Sequence, residues 1–189
     1  MSAESLSELP PPQRVITTHN DKGLAVYAKD FPETLEFWGV RSHTGEPGAF
    51  GLGYVTRALP VSLTSDSDMA DFREADAHRQ RSGLVQHGGT VLRYVDFAPN
   101  SASPMHRTAS LDYGIVIKGE LMCELDSGER RLLKPGDVAI QRGTMHQWLN
   151  VTDSWARMVF MLIHATEPEV GGKKLSEDLG GMQGVPSSH

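Results

Sequence analysis

Two stretches decide the fold of this chain: residues 104–119, PMHRTASLDYGIVIKG, and residues 135–150, PGDVAIQRGTMHQWLN. Each contains short apolar runs bounded by glycine turns, and each carries one histidine. Similar runs, rich in β-branched and aromatic residues, continue on both sides. We therefore predict seven strands, at 90–97, 111–118, 121–125, 130–134, 137–141, 146–151 and 156–164. This regular spacing indicates an all-β barrel or jelly roll, in which Gly119, Gly136 and Gly143 supply turns with positive φ.

The two ends of the chain differ in composition from this middle part. Residues 1–13 are polar and rich in proline, which predicts a flexible or extended segment. A single domain then runs over 14–167, and the short apolar runs in its first part, up to about residue 60, predict further strands and loops. Residues 168–189 are predicted to form a C-terminal extension, which we expect to be mobile, with a short helix around 175–179.

One helix is predicted from Asp66 to about Arg79. Met69, Phe72 and Ala75 recur there at three-residue spacing among charged residues, as on one face of a helix. This helix either packs on the surface over one end of the barrel or acts as a lid over a ligand-binding mouth.

Composition limits the class of protein. Among 189 residues, 39% are hydrophobic and 22% are charged, which is typical of a globular domain and not of a disordered chain. The net charge of -6 leaves no basic stripe, so we expect no nucleic acid and no membrane as partner. Cys123 is the only cysteine, which excludes an intrachain disulfide and favours a reducing compartment. With no signal-like or membrane-spanning segment in the sequence, we expect a cytoplasmic protein.

The motifs resemble those of the cupin superfamily. The first cupin motif has two histidines two residues apart, a glutamate about four later and a glycine seven beyond it. Here these positions hold His106, Thr108, Asp112 and Gly119, so two of the four depart from the motif. The second motif is matched by its glycines and by His146 and an asparagine four residues later, although Gln141 replaces the usual proline. The resemblance implies a cupin double-stranded β-helix, which is a jelly-roll barrel.

The candidate metal site follows from strand geometry. Side chains two apart on a strand share one face, so His106, Asp112 and His146 can converge inside a barrel. Two imidazoles and a carboxylate form a facial triad that suits Fe(II) and accepts Zn(II), Mn(II) or Ni(II). Asp112 has a second interpretation, because its side chain is shorter than glutamate and can instead orient His106 through a hydrogen bond. Thr108 cannot replace an imidazole as a strong ligand.

Further side chains are candidates for the substrate pocket and for catalysis. Thr108 and Trp148 share the faces of the two histidines, and Phe160 and His164 share one face of the strand at 156–164. We therefore predict that these four residues line the pocket. Asp112 is a candidate base, and Tyr113 is a candidate general acid, although strand alternation directs it away from Asp112.

The resemblance narrows further over residues 90–165. The segments HRTASLDY at 106–113 and QRGTMHQW at 141–148 are similar to small cupin-domain proteins that accompany fungal polyketide pathways. Members of that group are cupin-domain oxidoreductases that tailor polyketide intermediates, including precursors of salicylaldehyde-type aromatics. The resemblance thus implies a metal-dependent oxidoreductase acting on a hydroxylated or carbonyl-bearing small molecule.

Two other functions remain open at this stage. The same metal supports a redox-neutral lyase or isomerase that works through a stabilised enolate. Thr108 at a histidine position also allows a non-catalytic binder whose metal site has decayed. No nucleotide-binding glycine fingerprint is present, so we do not expect hydride transfer from NAD(P)H. Small cupins often pair, which implies a homodimer for this chain.

Overall fold

Two antiparallel β-sheets form the body of the molecule in a computed structural model that describes residues 6–41 and 45–188. Alternating side chains give each strand one face toward the core. From one edge to the other, the larger sheet consists of β10 (Val138–Arg142), β7 (Ser110–Lys118), β12 (Ala156–His164), β5 (Thr90–Phe97), β4 (Pro47–Thr56) and β3 (Phe37–Arg41). The smaller sheet consists of β6 (Ser101–Ala102), β11 (His146–Asn150), β8 (Leu121–Leu125) and β9 (Arg130–Leu133).

Shorter elements lie outside these sheets. One hairpin pairs β1 (Thr17–His19) with β2 (Ala25–Tyr27), and a second pairs β13 (Glu169–Val170) with β14 (Lys173–Lys174). The helix α1 (Ser67–Ala77) is flanked by two short 3₁₀ helices, Thr64–Asp66 and Arg79–Arg81. No helix in the described part of the chain is long or apolar enough to cross a membrane.

The all-β prediction is confirmed, and the predicted strands agree closely with the observed ones. β5, β8 and β12 have the predicted bounds, and the other four differ by one residue at one or both ends. For example, β9 stops before Lys134, because the backbone N–H of Lys134 donates to the side chain of Asp137 in the following turn. Gly119, Gly136 and Gly143 all have positive φ, as predicted.

Side chains from both sheets meet in one apolar core. The larger sheet contributes residues such as Val91 and Met158, and the smaller sheet contributes Leu121 and Trp148. Cys123, on β8, is also buried, and burial raises the pKa of its thiol. The two sheets therefore enclose a single interior, and the functional site has to be found within it.

The predicted helix is present as α1. Met69, Phe72 and Ala75 are its buried residues, so the three-residue spacing identified the packed face correctly. The ring centroid of Phe72 lies 4.6 Å from that of Tyr54 on β4. The helix thus packs against β4, in agreement with the surface-helix interpretation.

The C-terminal extension differs from its prediction, because it is packed and has no helix at 175–179. Asp178 instead forms an antiparallel bridge with Arg107, through backbone hydrogen bonds of 2.7 and 3.0 Å. The backbone N–H and C=O groups of Arg107 need hydrogen-bond partners. An extended segment can supply them, whereas the backbone groups of a helix are already bonded within the helix.

Residues 178–188, here called the closing segment, continue across the barrel. Leu179, Met182 and Val185 pack against the core. Farther along, the hydroxyl of Ser188 accepts a hydrogen bond from the backbone N–H of Val85, at 3.0 Å. The segment is therefore held at both ends and covers one side of the interior.

Asn150, the asparagine of the second motif, organises a turn and takes no part in the cavity. Its side-chain N–H₂ donates to the carbonyl oxygens of Phe97, Ala98 and Ser154, at 3.1, 2.9 and 2.8 Å. Its side-chain oxygen accepts from the N–H and the hydroxyl of Thr152. This network joins the end of β11 to the end of β5.

A buried ion pair attaches the N-terminal segment to the barrel. Arg157 on β12 forms two hydrogen bonds with the carboxylate of Asp96 on β5, at 2.5 and 2.6 Å, and both side chains are almost fully buried. The same guanidinium donates to the carbonyl of Pro10 and lies over the ring of Phe37. The N-terminal segment is therefore attached to the barrel at Pro10, where the sequence predicted a flexible or extended segment.

We predict that Arg157→Ala lowers the free energy of unfolding by about 3 to 5 kcal/mol, because it leaves the carboxylate of Asp96 buried without a cation. Urea denaturation of the purified protein measures this change. Arg73→Ala is the matched control: Arg73 pairs with Asp30 where both side chains are exposed, and its loss should cost less than about 1 kcal/mol. Equal effects of the two substitutions would contradict the prediction.

Candidate functional site

A small cavity lies between the two sheets, and the two predicted metal-binding histidines line it. Its free space is about 70 Å³, enough for on the order of five water molecules. Its polar wall consists of Arg93, Ser103, His106, Thr108, Asp112 and His146. Its apolar wall includes Phe50, Val95, Phe97, Trp148, Phe160 and Leu162. No residue of α1 lines this cavity, which leaves the lid interpretation of that helix without support.

Reciprocal backbone hydrogen bonds bring His106 and His146 together. The N–H of each residue donates to the carbonyl of the other, at 2.8 and 2.9 Å. Their ring centroids are 4.4 Å apart, and both side chains are buried. Residues that are directly opposite on antiparallel segments direct their side chains to the same face, which explains the close approach of the rings.

Both imidazoles are neutral and have a defined tautomer. Nδ1 of His106 donates to the carbonyl of Pro104 at 2.8 Å, and Nδ1 of His146 donates to the carbonyl of Thr144 at 2.9 Å. Because a carbonyl oxygen only accepts, the proton lies on Nδ1 and the lone pair on Nε2. Burial lowers the pKa of His106, and burial together with His106 lowers the pKa of His146 to about 3.

Asp112 lines the same cavity, but its carboxylate is bound by hydroxyl groups. The hydroxyl of Thr108 donates to one oxygen at 3.0 Å, and the hydroxyl of Ser110 donates to the other at 2.5 Å. Burial raises the pKa of Asp112 to about 6, although both hydrogen bonds act in the opposite direction. The two positions that depart from the first cupin motif, Thr108 and Asp112, are thus hydrogen-bonded to each other.

The predicted three-residue metal set is not assembled. Within residues 6–41 and 45–188, no group of three or more histidine, cysteine, aspartate or glutamate side chains is placed to hold a metal ion. Strand parity brings Asp112 to the correct face, as predicted, but its short side chain is held by the hydroxyls of Thr108 and Ser110. Asp112 does not orient His106 either, because Pro104 accepts the hydrogen bond from that ring.

A divalent metal nevertheless fits the histidine pair. Metal-binding histidines usually donate one ring N–H to a carbonyl or carboxylate, which fixes the tautomer and leaves the other nitrogen as ligand. His106 and His146 both meet this condition and share one cavity. The donor set thus offers two imidazoles, and the carboxylate of Asp112 joins them only if it releases its hydroxyl partners.

The other predicted site residues fall into two groups. Thr108, Trp148 and Phe160 line the cavity, and the indole of Trp148 makes T-shaped contacts with the rings of both His146 and Phe160. His164 does not line it, because β12 ends there, beyond the cavity, and its imidazole lies 4.8 Å from the imidazole of His87.

Tyr113 also lies outside the cavity. It occupies the opposite face of β7 from Asp112, as strand alternation requires, and its cross-strand neighbours are Ile140 and Met161. A general acid has to reach the reacting atoms, so this position removes the geometric basis for that role.

Sequence reasoning missed Arg93 and Met182. The sequence does contain a signal for Arg93, because alternation along β5 gives it the same face as Val91 and Val95. Met182 carried no such signal, since it reaches the cavity through the closing segment. Two other arginines, Arg107 and Arg142, flank the motifs but do not line the cavity. Arg142 is exposed on β10, and Arg107 pairs with the closing segment.

Comparisons with known proteins agree with this architecture. A family model described as a cupin domain matches residues 93–163. Phomopsin biosynthesis cluster protein D of Diaporthe leptostromiformis is 42% identical over 179 residues, which cover 94% of this chain and 89% of that protein. The cupin-domain-containing oxidoreductase fogC of Aspergillus ruber is 38% identical over 175 residues, which cover 88% of this chain and 79% of that protein.

A solved structure is similar over much of the chain. A cupin-2 domain from Rhodospirillum rubrum is 12% identical, with a TM-score of 0.46, and the match covers 71% of this chain and 72% of that chain.

We predict that Asp112→Asn changes the pH dependence of stability in protein freed of metal. Because the pKa of Asp112 is about 6 in the folded state and about 3.9 in the unfolded state, the folded state binds more protons between these values. Protonated Asp112 therefore stabilises the fold at low pH, and this contribution is lost as the pH rises through 6.

Urea denaturation at pH 4 and pH 7 tests this prediction. Relative to the wild type, Asp112→Asn should lose about 2 kcal/mol less unfolding free energy between pH 4 and pH 7. Asp21→Asn, at an exposed turn, should leave the pH dependence unchanged. If the unfolding free energy of Asp112→Asn changed with pH as much as that of the wild type, the raised pKa of Asp112 would be contradicted.

Proposed function

We propose that this chain, which belongs to the cupin family and is related to cupin-domain oxidoreductases of fungal biosynthesis clusters, is itself an enzyme of secondary metabolism. Its substrate would be a small hydroxylated or carbonyl-bearing molecule of the polyketide type, and its reaction an oxidoreduction. The observation that carries this proposal is the pair of neutral imidazoles on one wall of a largely apolar cavity between the two sheets. The names of the relatives support the reaction class.

The proposal includes a divalent metal held by His106 and His146. Nε2 of each ring is the ligand atom, because Nδ1 is already committed to a backbone carbonyl. A metal bound there would act as a Lewis acid toward a carbonyl or hydroxyl oxygen, and a redox-active metal would also support electron transfer. Two protein ligands leave several coordination positions for water and substrate.

The remaining cavity residues have roles that follow from their chemistry. Trp148 and Phe160 present aromatic surface on which the flat, apolar part of a substrate packs. Thr108 and Ser110 hold the carboxyl group of Asp112 at the cavity wall, where it can hold or pass a proton at Oδ1 or Oδ2. The small size of the cavity restricts the reacting part of the substrate to a few atoms.

Asp112 also supports a second candidate function, a redox-neutral lyase or isomerase. A carboxyl group that lines the cavity and contacts no second carboxylate or imidazole ligand is placed for proton transfer to a carbon or oxygen atom. In this case the same metal would only polarise the substrate.

Metal analysis provides the first test. Protein purified without chelators should carry stoichiometric metal by inductively coupled plasma mass spectrometry, and His106→Ala and His146→Ala should each lose most of it. His87→Ala is the matched control, since it removes one imidazole of a second close histidine pair, His87 and His164, outside the cavity. Metal-free wild-type protein, or metal retained in both cavity variants, would contradict the metal proposal and favour a non-catalytic binder.

Oxygen consumption separates the two reaction classes. With 2-hydroxybenzyl alcohol or a related phenolic alcohol as substrate, an oxidase consumes oxygen as the aldehyde forms, and His146→Ala abolishes both. Turnover of the substrate without oxygen uptake would exclude the oxidase, and a product at the same oxidation level as the substrate would support the redox-neutral alternative.

A further inference from the structure

Arg93 lies inside the barrel at a position where an apolar residue is expected. It is on the inner face of β5 between Val91 and Val95, and its cross-strand neighbours are Leu52 and Phe160. Only 2% of the residue is exposed. A cation at such a position is retained at a cost to stability unless it has a partner or a function.

The guanidinium of Arg93 has few partners for a buried group. Nη2 donates to the carbonyl of Gly83 at 2.8 Å, whereas Nε and Nη1 have no hydrogen-bond partner. The rings of Phe50 and Trp38 lie 5.1 and 5.7 Å from its central carbon. These aromatic contacts favour the cation but leave two N–H directions unsatisfied.

No anion in the described part of the chain balances this cation. Arg93 takes part in no ion pair there, and the carboxylate of Asp112, which lines the same cavity, binds hydroxyl groups instead. Burial lowers the pKa of Arg93 to about 10, so the group remains protonated at neutral pH. Arg93, which lines the cavity, thus carries one uncompensated positive charge and two unused donors.

We propose that Arg93 binds a carboxylate or enolate group of the substrate, so that the cavity selects small organic anions. A guanidinium presents parallel N–H groups that match two oxygens of a carboxylate, and such bonds are strong in a buried site. The free space of about 70 Å³ accommodates a head group of this size. This inference rests on the proposed function in one respect, because it names the substrate class of the same cavity.

A purely structural role for Arg93 predicts different behaviour. If Arg93 serves only to make the hydrogen bond to Gly83 and the aromatic contacts, its replacement by an uncharged residue should destabilise the ligand-free protein. If Arg93 is instead kept for a ligand, Arg93→Met should unfold at the same temperature as the wild type or higher, because an unpaired buried charge has been removed.

The test uses the full chain, freed of metal by a chelator and then dialysed, so that anions cannot bind through a metal. Acetate and benzoate are the anionic probes, and acetamide and benzamide are their neutral counterparts. Binding is measured by calorimetry and by the rise in unfolding temperature. We compare the wild type with Arg93→Met and Arg93→Lys, and with Arg142→Met as a control for loss of an exposed arginine on β10.

We expect at least one anion to bind the wild type and the Arg142→Met variant alike, with affinity about 10- to 100-fold lower in Arg93→Met. Arg93→Lys should bind with intermediate affinity, because it keeps the charge but not the paired donors. Neither neutral probe should distinguish wild type from Arg93→Met. Equal anion binding by wild type and Arg93→Met, or no anion binding by wild type, would overturn the proposal.

A second measurement does not depend on a folded Arg93→Met variant. In wild-type protein labelled with ¹⁵N-arginine, the Nε–H resonance of Arg93, assigned with Arg93→Lys, should shift when acetate or benzoate is added. An unchanged resonance at saturating anion would overturn the proposal. Anion binding without turnover of any substrate would contradict the proposed enzyme and leave this inference intact. Metal-dependent turnover with an unchanged Arg93 resonance would support the enzyme and contradict this inference.

Discussion

The reciprocal backbone hydrogen bonds between His106 and His146 are the contact on which the rest of the site depends. They join the loop that precedes β7 to the start of β11, and so they connect the six-stranded sheet to the four-stranded one. Because the two residues are directly opposite, both imidazoles enter the same cavity. The next residue, Arg107, pairs with Asp178 in turn, so the same loop also fixes the beginning of the closing segment.

The first cupin motif shows how two substitutions can compensate for each other. A threonine at one ligand position and an aspartate at another each weaken a metal site when they are considered alone. In this fold the hydroxyl of Thr108 donates to Asp112, and Ser110 supplies the second hydrogen bond. The carboxylate of Asp112 therefore has hydrogen-bond partners without a metal, as a buried carboxylate requires.

The fold could be predicted from sequence almost strand by strand, because turn glycines and alternating apolar residues are local signals. The faces of His106, Thr108, Asp112, Trp148 and Phe160 followed from the same alternation. The distances between these side chains could not be predicted from the sequence. Whether Asp112 reaches the histidines depends on two hydroxyl groups, that of Ser110 on the same strand and that of Thr108 in the loop before it.

Nonlocal contacts account for the remaining differences. Arg93 obeys the alternation of β5, yet its significance depends on the absence of an ion-pair partner among the described residues, which only the assembled barrel reveals. The extended conformation of residues 175–179 is set by Arg107, which lies far away in sequence, so local composition suggested a helix instead. His164 follows the parity of its strand, but the cavity ends before it.

The reactive groups of the cavity and part of its wall come from different regions of the chain. The histidines, Arg93 and Asp112 belong to the barrel or to the loop beside it, whereas Met182 reaches the cavity from a segment outside both sheets. Substitutions in that segment can alter the size and the entrance of the cavity with little effect on strand pairing. Related chains could in this way acquire different substrates through changes in a few residues beyond the last strand, with the reacting groups kept in place.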